Sequence, residues 1–342
     1  MTGWMGLLAV VVQLELRQRV RSVAWYVLLG VVGLITGAVI LVLYAGLSST
    51  PAEVGGIIFS TVLFLVLLVA TLVTPALCGA AINGERDAGT LAATQLTQVT
   101  STQLVLGKLL ATWIASLGFL VVTAPFLLAS VLLGGLRPEA VAIGLVILVL
   151  EIGVTSAIGV GLSGIVRTPV FSIVTTYLVI AALSVGTPIA FGIGTLVVQE
   201  TRTIASPMWE YSEDGTSSCE LGQPIEMTQP RPDAVWWLLA ANPYVVLSDA
   251  IPPSFGLYGS PDDAFSAVSL LVRQAQQPPT WPSCSDAFVD GSYEAQDVYD
   301  EGVPSWFVGL AIHLALAGTL VGAAIVRTRA PSKRLAAGSR IA

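Results

Sequence analysis

Residues 83–108 read NGERDAGTLAATQLTQVTSTQLVLGK. This short polar stretch carries Glu85, Arg86, Asp87 and Lys108 between two apolar runs, each long enough to cross a bilayer. Gly89 can take the left-handed conformation that ends the helix arriving from the membrane. Thr90 can cap a new short helix, and Thr100 with Gln103 has capping-box spacing at the head of the next long one. Val99 and Leu104 stand where a hydrophobic staple would close around that second cap. The expected path leaves the membrane, makes one short helix along its surface and returns. A stiff helix presented in this way is a handle on which something outside the membrane can push.

The flanking runs belong to a chain of membrane composition. Of its 342 residues 54% are hydrophobic and 11% charged, and the mean hydropathy is +0.81. Six spans are expected near Val23–Leu47, Gly55–Ile82, Leu109–Gly134, Ala140–Val166, Pro169–Val198 and Pro304–Val326. Backbone polar groups in hydrocarbon must pair within their own segment, so each span is read as a helix. The fifth contains Gly186, Pro188, Gly192 and Gly194 and is expected either to kink or to split into a span and a re-entrant piece.

Ahead of the spans, Trp4, Leu7, Leu8, Val11 and Leu14 share one helical face and are followed by Arg17, Arg19 and Arg21. Basic residues after a short apolar run are the reverse of a signal peptide. Residues 1–22 therefore read as an amphipathic helix in the interface, its arginines meeting anionic lipid headgroups. With the N-terminus inside, 11 of the 15 basic residues fall on the cytoplasmic side, including Arg86, Lys108, Arg167 and the tail from Arg327 to Arg340. Residues 23–198 then hold spans one to five, 304–326 the sixth, and 327–342 a basic cytoplasmic tail.

Residues 199–303 face outward in this topology. They hold 16 acidic and 3 basic residues, a net of −13 within a chain of −7, which leaves +6 for the rest. Little periodic apolar patterning marks them, and an irregular acidic segment is expected. Val235–Leu247, with two tryptophans, is too short to span and reads as an interfacial or re-entrant helix. Cys219 and Cys284 lie in this segment, where an oxidising side would favour a bridge between them. Cys78 lies in an apolar run, and no zinc-binding or C-x-x-C spacing occurs. The fold class is thus all-α integral membrane: six transmembrane helices, an N-terminal interfacial helix and an outward irregular segment between helices five and six.

The string GERDAGTL, then QLT, a polar turn and LGKLLA resembles the first cytoplasmic loop of type-2 ATP-binding-cassette exporter permeases. The match runs through Glu85, Arg86, Gly89, Thr90, Leu91, Gly107, Lys108 and Ala111; one departure is Ala92, where many relatives carry an acidic residue. The Asn-Pro of Ala241-Asn242-Pro243 is also similar to an element that many of these permeases carry before their last span. The resemblance implies a coupling helix at Thr90–Val99 docked on a separate ATPase subunit. Glu85, Arg86 and Asp87 would make ion-paired contacts there, and Leu91 and Leu96 would fill an apolar groove. It also implies a second permease, identical or related, and ATP with Mg held by the ATPases, whose closure would rotate the spans outward. This chain itself would bind no cofactor or metal. Membrane lipid is its other expected partner, with no nucleic acid. A bacterial plasma membrane is the expected location, the wealth of Ala, Val and Gly with only two lysines suiting a high-GC genome.

No phosphate-cradling loop is present: Gly107-Lys108 has Thr102 at the first glycine position and Leu109 after the lysine. An enzymatic alternative comes from Gly161-Leu162-Ser163-Gly164, which matches the G-x-S-G of rhomboid intramembrane proteases, with His313 as base in the sixth span. Helical counting puts Ser163 and His313 on the order of 10 Å apart in depth, beyond proton-transfer reach. Gly159, Gly161, Ser163 and Gly164 fit close helix packing better. Glu151 is the one acidic residue deep in a span, and His313 descends to similar depth. An intramembrane carboxylate is by default a functional candidate, so the pair is read as facing a translocation path. A third alternative is a membrane scaffold or sensor that transports nothing. The substrate is not legible, although nearly uncharged spans favour an amphiphilic or apolar cargo.

Overall fold

The computed structural model describes residues 3–47, 54–88, 99–211, 217–256, 259–282, 284 and 295–329. Among the described residues, six helical stretches are long and apolar enough to cross a membrane: Val23–Leu47, Val54–Asp87, Ser101–Leu132, Pro138–Ile165, Pro169–Val197 and Trp306–Thr328. The protein thus has a multi-pass membrane architecture. Its chain forms two compact units, Met1–Leu183 with Leu310–Ala342, and Ser184–Gly309.

In the first unit a lead helix, α1 (Trp4–Val20), precedes α2 (Val23–Leu47) and α3 (Val54–Cys78). A turn then leads to the single-turn α4 (Asn83–Asp87). The third span comprises α5 (Ser101–Ser116) and α6 (Gly118–Leu132), and the fourth is α7 (Pro138–Ile165). The fifth begins with α8 (Pro169–Ala181), and the sixth is α14 (Trp306–Thr328). The α3 and α7 spans form the inner pair: 50% and 56% of their apolar windows are buried, against 11% in α2. Small residues let neighbours approach α7 closely. A Cβ added at Gly159 would meet Cys78 Sγ on α3 at 2.0 Å, and one at Gly164 would meet Ala324 Cβ on α14 at 2.5 Å.

The second unit departs from the irregular segment read from sequence, and the fold is not wholly α. After a π-helical turn at Ala182–Gly186, α9 (Thr187–Val197) completes the fifth span, which is therefore one helix with a local widening rather than a span and a re-entrant piece. The cause is Pro188, whose missing N–H leaves the carbonyl four residues back, at Ser184, without its helical donor. Asn242 Nδ2 supplies one at 2.8 Å.

A long antiparallel hairpin follows, β1 (Gln199–Tyr211) with β2 (Ser217–Pro230), its register shifting between Ala205 and Pro207. Pro207 and Pro224 flank that irregularity, where a proline costs the ladder least. They also erase the strand signal in the sequence. The stretch Val235–Leu247 is not a single helix either. A turn at Pro232–Ala234 precedes it, and α10 (Trp237–Ala240) and α11 (Pro243–Ala250) divide it, because Asn242 caps α11 and Pro243 occupies its first position. Next come α12 (Ala264–Gln274) and α13 (Ala295–Glu301). Cys219 and Cys284 are disulfide-bonded.

The core of this unit is ionic as well as apolar. Asp249, on α11, accepts from Arg273 Nε at 2.9 Å, Ser269 Oγ at 2.7 Å, Ser305 Oγ at 2.9 Å and Trp306 N at 3.2 Å, and also from Ser305 N. Arg273 donates to the carbonyls of Tyr299 at 3.2 Å and Gly302 at 2.5 Å and lies 4.3 Å from the Tyr299 ring centroid. One carboxylate therefore holds α12 and caps the start of α14.

Candidate functional site

The polar stretch 83–108 begins with α4, and the structure ties its two ends to the bundle. Thr100 and Gln103 form the full capping box of α5. Gln103 Oε1 accepts from Thr100 N at 2.8 Å, and its Nε2 donates to the Trp4 carbonyl of α1 at 2.9 Å. One side chain thereby starts α5 and anchors the head of α1.

One turn further along α5, Gly107 marks the closest approach of α1: an added Cβ would meet Val11 Cγ1 at 2.6 Å. That contact places Lys108 under α1. Its ammonium reaches Glu15 of α1 at 2.5 Å and Glu85 of α4 at 2.7 Å. The lysine side chain is 2% exposed, whereas Glu15 and Glu85 are 15% and 32% exposed. A buried lysine between two half-buried glutamates therefore joins α1, α4 and α5. Arg19 completes this end of the bundle, donating to the Leu77 carbonyl at 3.0 Å and to Thr112 Oγ1 at 3.1 Å. It fills a terminal carbonyl of α3 that has no helical donor. Burial lowers the Arg19 pKa, with the Glu15 carboxylate opposing the shift.

Across the same end, Ser163 on α7 closes the turn between α3 and α4. Its Oγ accepts from Ile82 N at 2.7 Å and Asn83 N at 3.3 Å and donates to Asn83 Oδ1 at 3.3 Å. Asn83 Nδ2 reaches the carbonyls of Val166 at 3.4 Å and Thr168 at 3.3 Å. From α14, Arg327 donates to the Ile165 carbonyl at 3.1 Å.

Deeper in the bundle, Glu151 Oε1 of α7 and His313 Nδ1 of α14 lie 3.0 Å apart. Each residue is 1% exposed, so the pair faces protein on all sides in this conformation. Such a pair can hold one proton between two groups, as an imidazolium beside a carboxylate or as two neutral groups. It lies about 18 Å along α7 from Ser163. The structure thus brings Glu151 to His313 and gives Ser163 backbone amides instead.

Of the residues read as ATPase-coupling, Glu85, Gly107 and Lys108 are engaged inside the bundle as described. Arg86 is half-buried and Asp87 exposed, and neither side chain has a hydrogen-bond or ion-pair partner among the described residues. Gly89, Thr90, Leu91 and Leu96, with the short helix expected at Thr90–Val99, lie outside the described residues apart from Val99. Sequence reasoning missed Glu15 and Asn83, and it placed Arg19 among the headgroup arginines, whereas Arg19 turns into the bundle to donate to Leu77 and Thr112. Glu15 and Arg19 are one turn apart on α1, and a lone acidic residue on a helix otherwise basic at its end was the available signal. No protein-family model matches this chain, and no curated protein matches it in sequence.

Proposed function

We propose that the chain is the membrane-spanning permease subunit of an ATP-binding-cassette exporter, moved by a separate ATPase subunit through the polar segment 83–108. The observation that carries this reading is the Lys108 cluster. It joins the two ends of that segment to each other, through Glu85 and Lys108, and to α1 through Glu15. A segment anchored in this way passes an applied force to α3 and α5 rather than absorbing it. Arg86 and Asp87, unpartnered among the described residues, then supply the contact charges.

In this reading α1 lies in the cytoplasmic interface, both termini are cytoplasmic and residues 199–303 face outward, a side where a Cys219–Cys284 bridge persists. The chain hydrolyses nothing; ATP and Mg belong to the partner, and a second permease completes the path. ATP biases two states of the bundle through the docking contact. The Glu151–His313 pair faces the path in the open state, and the cargo is amphiphilic. If Glu151→Gln leaves transport and its pH dependence unchanged, the pair has no part in the path.

The test is to purify the tagged full chain from native membranes in mild detergent, identify what accompanies it and assay ATP hydrolysis. A stoichiometric ATPase, lost from the Arg86→Ala/Asp87→Ala variant while the permease stays folded, is the expected result. A well-folded chain that purifies alone would contradict it.

A further inference from the structure

A groove of about 690 Å³ runs along one side of α1, bounded across from it by Leu110 of α5. Met5, Leu8, Val12 and Leu16 line its length, and Arg17 and Arg21 stand at one end. Both guanidiniums are exposed, and neither has a hydrogen-bond or ion-pair partner among the described residues. They lie one helical turn apart on the same face, close enough to share one anion. Arg19, between them in sequence, points the other way into the bundle and is already engaged. The three arginines therefore divide into one that holds the fold and two that are free to bind.

Depth in the membrane follows from the chain. Arg21 is two residues from Val23, where the first membrane-spanning helix begins, so both free arginines belong near the headgroup level. Apolar walls running away from two unpaired cations match a molecule with a hydrocarbon tail and an anionic head. Arginine favours phosphate because its planar fork donates two hydrogen bonds at once.

We infer that α1 carries a discrete site for one anionic phospholipid, its phosphate between Arg17 and Arg21 and an acyl chain along the groove. This needs only the membrane architecture and would stand whether or not an ATPase partner exists. Occupancy would brace α1, and through Glu15 and Lys108 the polar segment, against the bilayer.

The test uses the full chain in mild detergent, titrated with phosphatidylglycerol or with phosphatidylcholine of the same acyl chains, and native mass spectrometry to count bound lipid. Phosphatidylglycerol should be retained in preference. The Arg17→Gln/Arg21→Gln variant should bind it roughly tenfold or more weakly, the scale two basic groups contribute at an anionic surface. Arg167→Gln, which removes an exposed charge elsewhere, should leave binding unchanged. Ala9→Trp, filling the groove with both arginines intact, should also weaken it. Equal retention of the two lipids would overturn the site, as would a preference that survives the double arginine variant in chains of unaltered melting temperature. Displacement of the lipid by millimolar inorganic phosphate, or indifference to Ala9→Trp, would reduce it to a simple anion contact and equally refute it.

Discussion

The ion clusters around Asp249 and Lys108 each join several helices, and they are built to different standards. Around Asp249 in the second unit, carboxylate and guanidinium are 0% and 3% exposed, and the carboxylate accepts five hydrogen bonds. Around Lys108 in the first, a single buried ammonium holds two glutamates whose side chains are 15% and 32% exposed. Burial costs each ion several kcal/mol, which only good geometry and further hydrogen bonds offset. The Asp249 cluster meets that condition and acts as a fixed staple. The Lys108 cluster shares one cation between two glutamates, so neutralising either acid alone leaves the lysine paired and costs little. That difference separates a fully satisfied staple in the second unit from a redundant joint between three helices in the first.

Breaking the staple should have the largest effect. Asp249→Ala leaves the Arg273 guanidinium buried and unpaired and strips a cap from α14, and should cost about 3–5 kcal/mol. Thermal melting in detergent measures it, and Asp249→Leu with Arg273→Met should recover much of the loss. Removing the Cys219–Cys284 bridge by a double Ser replacement comes next, at about 2–4 kcal/mol, read from the same melt with and without reductant. Lys108→Met, which leaves two carboxylates facing each other, should cost less, about 2 kcal/mol. Its signature is local: faster hydrogen exchange across α1, with α7 unchanged. Glu15→Gln or Glu85→Gln alone should cost under about 1 kcal/mol, since the other acid still neutralises the lysine. If either single neutralisation matches Lys108→Met, the contrast between the clusters fails.

The smallest effect is a pH dependence at the foot of the hairpin. Arg202 and then Arg231 hold the Glu200 carboxyl below its ordinary 4.5, and Arg231 holds Asp233 below its ordinary 3.8. A depressed folded-state pKa means stability that is present above the ordinary values and lost as pH falls through the folded ones. Arg231→Gln should therefore lower the melting temperature above those ordinary values, with the gap to the unaltered protein closing as pH falls, and high salt should shrink it, because these groups sit in water.

The spans were legible because about 20 apolar residues have few other uses. The α5 cap was legible because Thr100 and Gln103 carry their hydrogen bonds locally. The hairpin was not: Pro207, Pro224 and Gly222 interrupt it, and a two-stranded sheet with exposed faces needs no alternation of apolar residues. Asp249 and Arg273 were hidden differently, as one acid and one base in a stretch of net −13 whose charges read as solvated. Pairing across 24 positions leaves no local mark. Glu151 and His313 were each conspicuous as polar groups in apolar helices; their 3.0 Å contact depends on how α7 and α14 cross, set by the glycines of α7.

The most direct test of the exporter reading asks whether nucleotide on the partner opens the bundle at that pair. Thr155 lies one turn from Glu151 on α7 and is buried. In the copurified complex, with Cys78→Ala removing the free thiol, Thr155→Cys should resist a membrane-impermeant thiol reagent without nucleotide and react when ATP is trapped on the ATPase. A site that stays unlabelled in every nucleotide state, while the complex hydrolyses ATP, would contradict the account.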